Sequence, residues 1–282
     1  MRFVRYSATG TPQWGIQQEN RIYPVCNMEV PGPSFEKMTT RGYRKRIQKA
    51  LGAQAPPSVP RGDVQLLAPV ETPGKIVCVG LNYHDHAEEQ DEKIPERPML
   101  FSKSPTSITH PQRPIVHPAM VDQVDYEVEL AFVVGRTAKD VPEEDARDYV
   151  AGYTILNDVS ARDAQFEDGQ FYRGKSYDTF APMGPALITD SDIDPNNLSL
   201  ELRVNGDIKQ SSSTAEFIFG IEELVSYLSR VMTLQPGDVV TTGTPGGVGI
   251  FSDPPDLLEP GDEVEAEIQE IGILRNPVIG DT

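Results

Sequence analysis

The chain has 282 residues, 38% of them hydrophobic, enough to bury one large core or a core with a small companion domain and too apolar for a disordered chain. Acidic residues outnumber basic ones 43 to 25, a net charge of −18, which excludes nucleic acid and anionic membranes as natural partners. Only Cys26 and Cys78 occur; they are too few for a disulfide framework or a thiolate metal cage, and both read as ordinary buried thiols.

From the start, Arg2–Tyr6, Gln13–Gln17 and Arg21–Val25 read as short strands, followed by a helical stretch over Ser34–Leu51. The opening residues alternate like a strand and supply no apolar signal segment. No run of about 18 apolar residues follows, so a cytoplasmic protein without membrane contact is expected. The basic residues Arg41, Arg44, Lys45, Arg46 and Lys49 read as the solvated face of that helix. Three prolines and a glycine in Ala55–Gly62 cannot continue a helix or a central strand. They mark a boundary between a small N-terminal domain with its linker, residues 1–62, and a larger domain, residues 63–282.

Strand patterns dominate beyond the linker, at Lys75–Gly80, Tyr126–Val134, Ala151–Leu156, Leu198–Val204, Asp238–Thr242 and Glu263–Ile271. In the last, Val264, Ala266 and Ile268 alternate with acidic residues as one buried face requires. Asn205-Gly206-Asp207, Pro236-Gly237-Asp238 and Pro260-Gly261-Asp262 supply reversals at strand ends. Helices are fewer: Phe217–Val231, with Ile221, Leu224, Val225 and Leu228 on one face, and Pro142–Tyr149, which opens on proline and acidic residues. The fold class is therefore α+β and β-rich.

The segment Asp125-Tyr126-Glu127-Val128-Glu129-Leu130-Ala131-Phe132-Val133-Val134 places Asp125, Glu127 and Glu129 on one face of a strand that becomes apolar on both faces, so it is central. Carboxylates roughly 7 Å apart on such a face repel and lose hydration unless a cation compensates them or they take up protons. An edge strand with a solvated acidic face is the alternative. Asp158 ends another strand pattern, and three oxygen donors without a suitably spaced His or Cys suit Mg²⁺ or Mn²⁺.

After the Lys75–Gly80 strand, Gly80-Leu81-Asn82-Tyr83-His84-Asp85-His86-Ala87-Glu88-Glu89 puts His86 and Glu89 three apart on a helix beginning near Asp85, where Glu89 could orient the imidazole. A solvated helix start is the plainer alternative. Lys103 and Lys175, beside apolar or aromatic residues, suit stabilisation of an enolate. Arg162, one turn beyond Asp158, suits a substrate carboxylate or a structural salt bridge. The glycine-rich Thr241–Gly249 loop lacks the Gly-Lys-Ser/Thr ending of a phosphate loop and reads as backbone approaching a pocket.

In their order, five motifs resemble the fumarylacetoacetate hydrolase family from about Lys75 to Ile279: Gly80-Leu81-Asn82-Tyr83 with His86 and Glu89, Asp125–Leu130, Asn157–Asp163, Gly174–Phe180, and Thr242-Gly243-Thr244-Pro245. The nearest likeness is to its acylpyruvase and diketo-acid hydrolase branch. The resemblance implies a mixed β-sheet roll behind a small α/β N-terminal domain, and Mg²⁺ or Mn²⁺ on Glu127, Glu129 and Asp158. It also implies a water-activating His86–Glu89 dyad on a lid, with Lys175 at the substrate carbonyl. Arg162, Gln165, Lys103, Tyr83 and Thr244 would contact substrate, and the chain would form a homodimer. The activity so implied is cleavage of a C–C bond in a small 2-oxo or 1,3-dicarbonyl acid, an acylpyruvate or 2,4-diketo acid, through an enolate. Decarboxylation, isomerisation or hydration of a related 2-oxo acid is the alternative, and a non-catalytic metal and organic-acid binder is a minor one.

The acid surplus is spread along the chain and only nine lysines occur, the pattern of a surface adapted to high salt. Self-repulsion then weakens the fold when screening is poor. The melting temperature is expected to climb steeply from low salt to molar KCl at saturating Mg²⁺, and a flat profile would return the acidity to ordinary variation.

Overall fold

A computed structural model describes residues 1–53, 56–189 and 193–281. The larger sheet runs, in spatial order, Val59–Pro60, Arg21–Pro24, Pro12–Gln18, Arg2–Ser7, Ala181–Ile188, Val150–Asn157, Val128–Val134, Val239–Thr241, Ile76–Gly80 and Met99–Lys103, with Gln65–Leu67 and Ile108–Thr109 paired off this path. A second sheet orders Asp207–Ser213, Ser199–Val204, Glu263–Ile268, Gly272–Gly280 and Ile115–His117. Both contain antiparallel and parallel pairs. The chain thus builds the β-rich mixed-sheet architecture expected of it.

Every residue of Val128–Val134 is buried, because strands flank it on both sides and both sheet faces are covered. Val128, Leu130, Phe132 and Val134 face a core shared with Leu200, Leu202, Val264 and Ala266 of the second sheet. Ala131 and Val133 face the opposite core, which Met38, Tyr43 and Ile47 cap from the N-terminal helices. The two-residue period decides which side chains meet which layer. It also sends Glu129 to the same side as Ala131, at the end of the strand where packing opens into a cavity.

Sequence and structure differ at definable places. The single helix expected over Ser34–Leu51 is two, Phe35–Thr39 and Arg41–Ala53, since Thr40 takes an extended conformation (φ −86°, ψ 123°). Ser34 caps the first, accepting from Lys37 N, and the Thr40 hydroxyl accepts from Tyr43 N in the second. Pro142–Tyr149 forms 3-10 turns over Glu143–Tyr149, and Phe217–Val231 becomes helical only from Ile221. Ala181–Ile188 is a strand that the sequence pattern does not announce, because its prolines and glycine argue against a place between two other strands; a register irregularity opposite Tyr153 and Ile155 accommodates them. Cys78 is buried as expected, but Cys26 is exposed, because it sits in a 3-10 turn facing outward. Within the described residues no helix is long and apolar enough to cross a membrane.

Of the proline-rich stretch, residue 55 lies outside the described residues, while Val59–Pro60 forms the sheet edge, where a missing N–H costs least. The N-terminal strands join the larger sheet directly, with Arg2 opposite Ile188 and Phe3 opposite Leu187. Removing residues 1–62 would therefore bare the edge of Ala181–Ile188 and half of the helix-side core. A fragment comprising residues 63–282 is expected to aggregate on expression. A soluble fragment of that span with a cooperative melt and Mg²⁺-dependent stabilisation would instead establish residue 62 as a true domain boundary.

Candidate active site

The antiparallel register of the two central strands, Val128 opposite Asn157, brings Glu127 beside Asp158. Asp158 N donates to the Glu127 carbonyl (2.8 Å) and Glu127 N donates to Asn157 Oδ1 (3.0 Å). Glu127, Glu129 and Asp158 each offer a carboxylate oxygen within 4.8 Å of the others. Their exposures are 6%, 1% and 0%, so a solvated acidic face is ruled out.

Three cations crowd these acids. Lys175 Nζ lies 2.8 Å from both Glu127 Oε2 and Asp158 Oδ2, and Lys103 Nζ lies 2.5 Å from Asp158 Oδ1. Arg162 Nη2 bridges Asp125 Oδ2 (2.8 Å) and Glu127 Oε1 (2.7 Å). Four buried carboxylates, counting Asp125, thus meet three cations, and the carboxylate without one is Glu129, whose hydrogen bond comes from Gly243 N (2.9 Å).

The electrostatics follow that imbalance. Burial, then the charges of Asp158 and Glu127, push the Glu129 carboxyl well above its usual range. Burial also disfavours the Glu127 carboxylate, but Lys175 and Arg162 outweigh it and hold the pKa at about 2. Burial works against the Lys175 ammonium too, yet Asp158 and Glu127 keep its pKa above the ordinary lysine value. For Lys103 burial prevails over Asp158 and the pKa falls. One surplus negative charge on three converging oxygen donors fits a hard divalent cation, which the donor set would hold through Glu127, Glu129 and Asp158.

Across the cavity, helix His84–Glu89 presents His86, whose Nδ1 lies 2.9 Å from Glu89 Oε2. The glycine-rich loop fixes this helix. Gly247 N donates to Glu89 Oε1 (2.8 Å), Gly246 N to Asp85 Oδ1 (3.3 Å), and the Ser212 hydroxyl to Asp85 Oδ2 (2.5 Å). Asn82 anchors the approach, donating to the Phe219 and Thr242 carbonyls and accepting from Phe219 N.

A cavity of about 470 Å³ brings His86 together with Glu127, Glu129, Arg162 and Lys175, and its wall includes Gln165 and Thr244. Gln165 Oε1 accepts from Arg162 Nη1 (3.1 Å), and its amide nitrogen has no partner among the described residues. The Thr244 hydroxyl is already engaged, donating to the Val128 carbonyl and accepting from Gln210 Nε2. Two expected substrate contacts lie elsewhere. Tyr83 is fully buried with its ring edge-on to Phe217 at 4.9 Å, and Lys103 sits behind Asp158, 1% exposed and off the cavity wall. The ion-pair partner of Lys103 in the structure is the Asp158 carboxylate.

The sequence pattern marks Asp125 only as one acid on a strand face. In the structure it accepts from Arg162 Nε and from the backbone of Tyr126, Gly249 and Ile250. The period-two pattern groups it with Glu127, but its partners other than Tyr126 are remote in sequence. Gly243 is likewise a donor that no spacing points to; its φ of +88°, and the 3.0 Å that would separate an added side-chain carbon from Asn82 Cβ, make glycine necessary there. Gly174, where an added carbon would lie 2.7 Å from the Ala161 carbonyl, lets helix Tyr172–Lys175 pack closely enough to deliver Lys175.

A buried three-carboxylate cradle with lysines behind it and a His–Glu pair across the cavity has the make-up of an enzyme site. The profile described as fumarylacetoacetate (FAA) hydrolase C-terminal matches residues 75–279, and the chain belongs to the fumarylacetoacetate hydrolase family. It is 48% identical over 288 residues to a mitochondrial oxaloacetate tautomerase of Rattus norvegicus and 43% identical over 290 residues to one of Homo sapiens, each alignment covering 99% of this chain and 92% of the relative. Among solved structures, a fumarylacetoacetate hydrolase from Exiguobacterium antarcticum is 38% identical with a TM-score of 0.87, and a 5-carboxymethyl-2-hydroxymuconate delta-isomerase from Mycobacterium smegmatis is 38% identical with a TM-score of 0.81. Both cover 100% of each chain.

Replacing Glu129 by glutamine keeps the shape and removes the uncompensated charge. The metal-free Glu129→Gln protein is expected to melt a few degrees above metal-free wild type, since about 1 kcal/mol moves a chain of this size by roughly 2 °C. The rise that Mg²⁺ gives wild type should be absent. A variant still stabilised by Mg²⁺ would remove Glu129 from the ligand set.

Proposed function

We propose that the protein interconverts the enol and keto forms of a small 2-oxo acid, with oxaloacetate as the first substrate to test, using Mg²⁺ or Mn²⁺. The observation that carries this choice over C–C bond hydrolysis is the similarity across 99% of the chain to two oxaloacetate tautomerases. It sits with a site whose one proton-transfer pair faces the carboxylate cradle.

A divalent cation on Glu127, Glu129 and Asp158 would draw electron density from the 2-oxo acid and so ease formation of its enolate. The remaining work falls to the chain. Enol-to-keto conversion moves one proton from the C2 oxygen and delivers one to C3. His86 is the imidazole on the cavity wall placed to accept and return that proton, and Glu89, hydrogen-bonded to Nδ1, stabilises the imidazolium formed midway. Lys175 remains charged beside Glu127 and Asp158, so it contributes electrostatic stabilisation of the enolate oxygen rather than a proton. Gln165, with a free amide N–H, orients a substrate carboxylate, and Arg162 fixes Gln165 from behind. Hydrolysis of an acylpyruvate would use the same base with water interposed.

With Mg²⁺ present, the protein is expected to accelerate oxaloacetate tautomerisation, followed by the loss of enol absorbance, and to do so more efficiently than it cleaves an acylpyruvate. His86→Ala and Glu89→Ala should each lose roughly 10²-fold or more, the usual scale for acid–base assistance, while keeping Mg²⁺-induced stabilisation. Wild type that cleaves acylpyruvates but leaves the oxaloacetate enol at its spontaneous rate would reinstate hydrolysis.

A further inference from the structure

We propose that Gln90 is a positioning residue that sets His86 in its proton-accepting tautomer, an inference that rests on the proton-transfer role given to His86 above. Gln90 caps the His84–Glu89 helix, one turn beyond His86, and its Nε2 stands 2.7 Å from His86 Nε2. Both residues line the cavity. An amide nitrogen only donates, so the imidazole nitrogen facing it carries a lone pair. The ring proton then resides on Nδ1 and points at Glu89 Oε2, 2.9 Å away.

Glu89 and Gln90 therefore grip the ring from its two ends, and the tautomer they select is the one able to take a proton on the cavity side. The opposite tautomer would direct an N–H at an N–H and leave the Glu89 carboxylate facing a lone pair. The same amide also serves the second half of a proton transfer. The terminal torsion of glutamine is broad and nearly two-fold, so after Nε2 has gained a proton a half-turn presents Oε1 as acceptor. Gln90 can thus hold both protonation states, whereas an acid at this position would favour only the imidazolium. The proton itself passes from substrate to Nε2 and back to substrate, and Gln90 neither gains nor loses one.

The other charged groups around His86 do not select a tautomer. Asp85 on the same helix is occupied by Ser212 and Gly246. Glu127, Glu129, Arg162, Lys175 and Glu92 share the cavity wall with His86, and none of them hydrogen-bonds to either ring nitrogen. The Phe251 ring, 6.3 Å away, is uncharged.

The test uses Mg²⁺-loaded full-length protein labelled with ¹⁵N-histidine. The chain has four histidines, so the His86 signals can be identified by their loss in His86→Ala. Wild type at pH 8 without substrate should show one tautomer, protonated at Nδ1 and bare at Nε2. In Gln90→Leu the Nε2 signal should move toward tautomer averaging. In Gln90→Glu both nitrogens should stay protonated to a pH at least one unit higher, and the acidic limb of the kcat/KM profile should rise with it. Wild-type nitrogen shifts in both variants would overturn the proposal, as would an Nε2-protonated ring in wild type. The nitrogen signals are read without turnover, so they stand or fall separately from oxaloacetate tautomerisation.

Discussion

Placing four carboxylates in one dry corner of a sheet is the constraint around which the rest of this molecule is arranged. An isolated buried carboxylate is too costly to persist charged, so each must find a cation or hydrogen-bond donors within about 3 Å. Lys103 arrives at the end of Met99–Lys103, Arg162 at the head of Arg162–Asp168, and Lys175 at the end of Tyr172–Lys175. Met99–Lys103 and the two neighbouring helices Arg162–Asp168 and Tyr172–Lys175 converge on one pair of central strands. The pairing satisfies Asp125, Glu127 and Asp158 and leaves Glu129 in surplus, so the same charge balance that permits folding leaves a donor set that could hold a cation.

That cluster also governs the opposite wall. Asp125 holds Arg162 with one edge and collects Gly249 N and Ile250 N, which pins the far end of the glycine-rich loop. The near end is tied through Gly243 N to Glu129. Between these anchors, Gly246 and Gly247 hold Asp85 and Glu89 on the helix that carries His86. His86 is therefore positioned through backbone donors whose own placement depends on the buried acids. Hydrogen bonds at both ends of the Gly243–Gly247 backbone thus join the cradle to the helix that carries His86.

How much of this is legible without coordinates depends on whether the signal is periodic or tertiary. The central strand is legible because both its faces turn apolar after Glu129, and the Ile221–Val231 helix because its buried residues repeat at helical spacing. Glu127, Glu129 and Asp158 follow from strand geometry plus the cost of crowding acids, and resemblance sharpens that expectation. Lys103 is misplaced for a physical reason: sequence shows that a lysine is flanked by apolar residues but not whether its ammonium meets substrate or a carboxylate from another segment. Tyr83 fails the same way, since proximity to His86 in the chain says nothing of which side of the backbone its ring packs on. Asp125 acts through Arg162, Gly249 and Ile250, which only folding brings near, whereas Gln90 meets His86 one helical turn away and what the spacing leaves open is which atoms face each other. The N-terminal segment reads as separate because proline spacing reports a break in local structure, while the hydrogen bonds that stitch Arg2–Ser7 to Ala181–Ile188 span most of the chain.

On the proposed reading, the side chains around this cavity suit an enolate more than they select any one of its reactions. On that reading, the cradle, Lys175 and Gln165 address the charge that develops when a 2-oxo acid loses a proton or a carbon substituent, and that charge is common to tautomerisation, decarboxylation and C–C cleavage. What separates these outcomes is the object met by His86 Nε2. If a substrate carbon or oxygen reaches it directly, a proton shuttles and the skeleton survives. If a water fits between them, the same lone pair makes a nucleophile and the skeleton breaks. The site already keeps a hydrogen-bonding side chain against that nitrogen, so the choice turns on what displaces the Gln90 amide. A water offers only its two small O–H donors to that position, whereas a 2-oxo acid anchored at its carboxylate brings its own acidic proton there and gains the most from taking it.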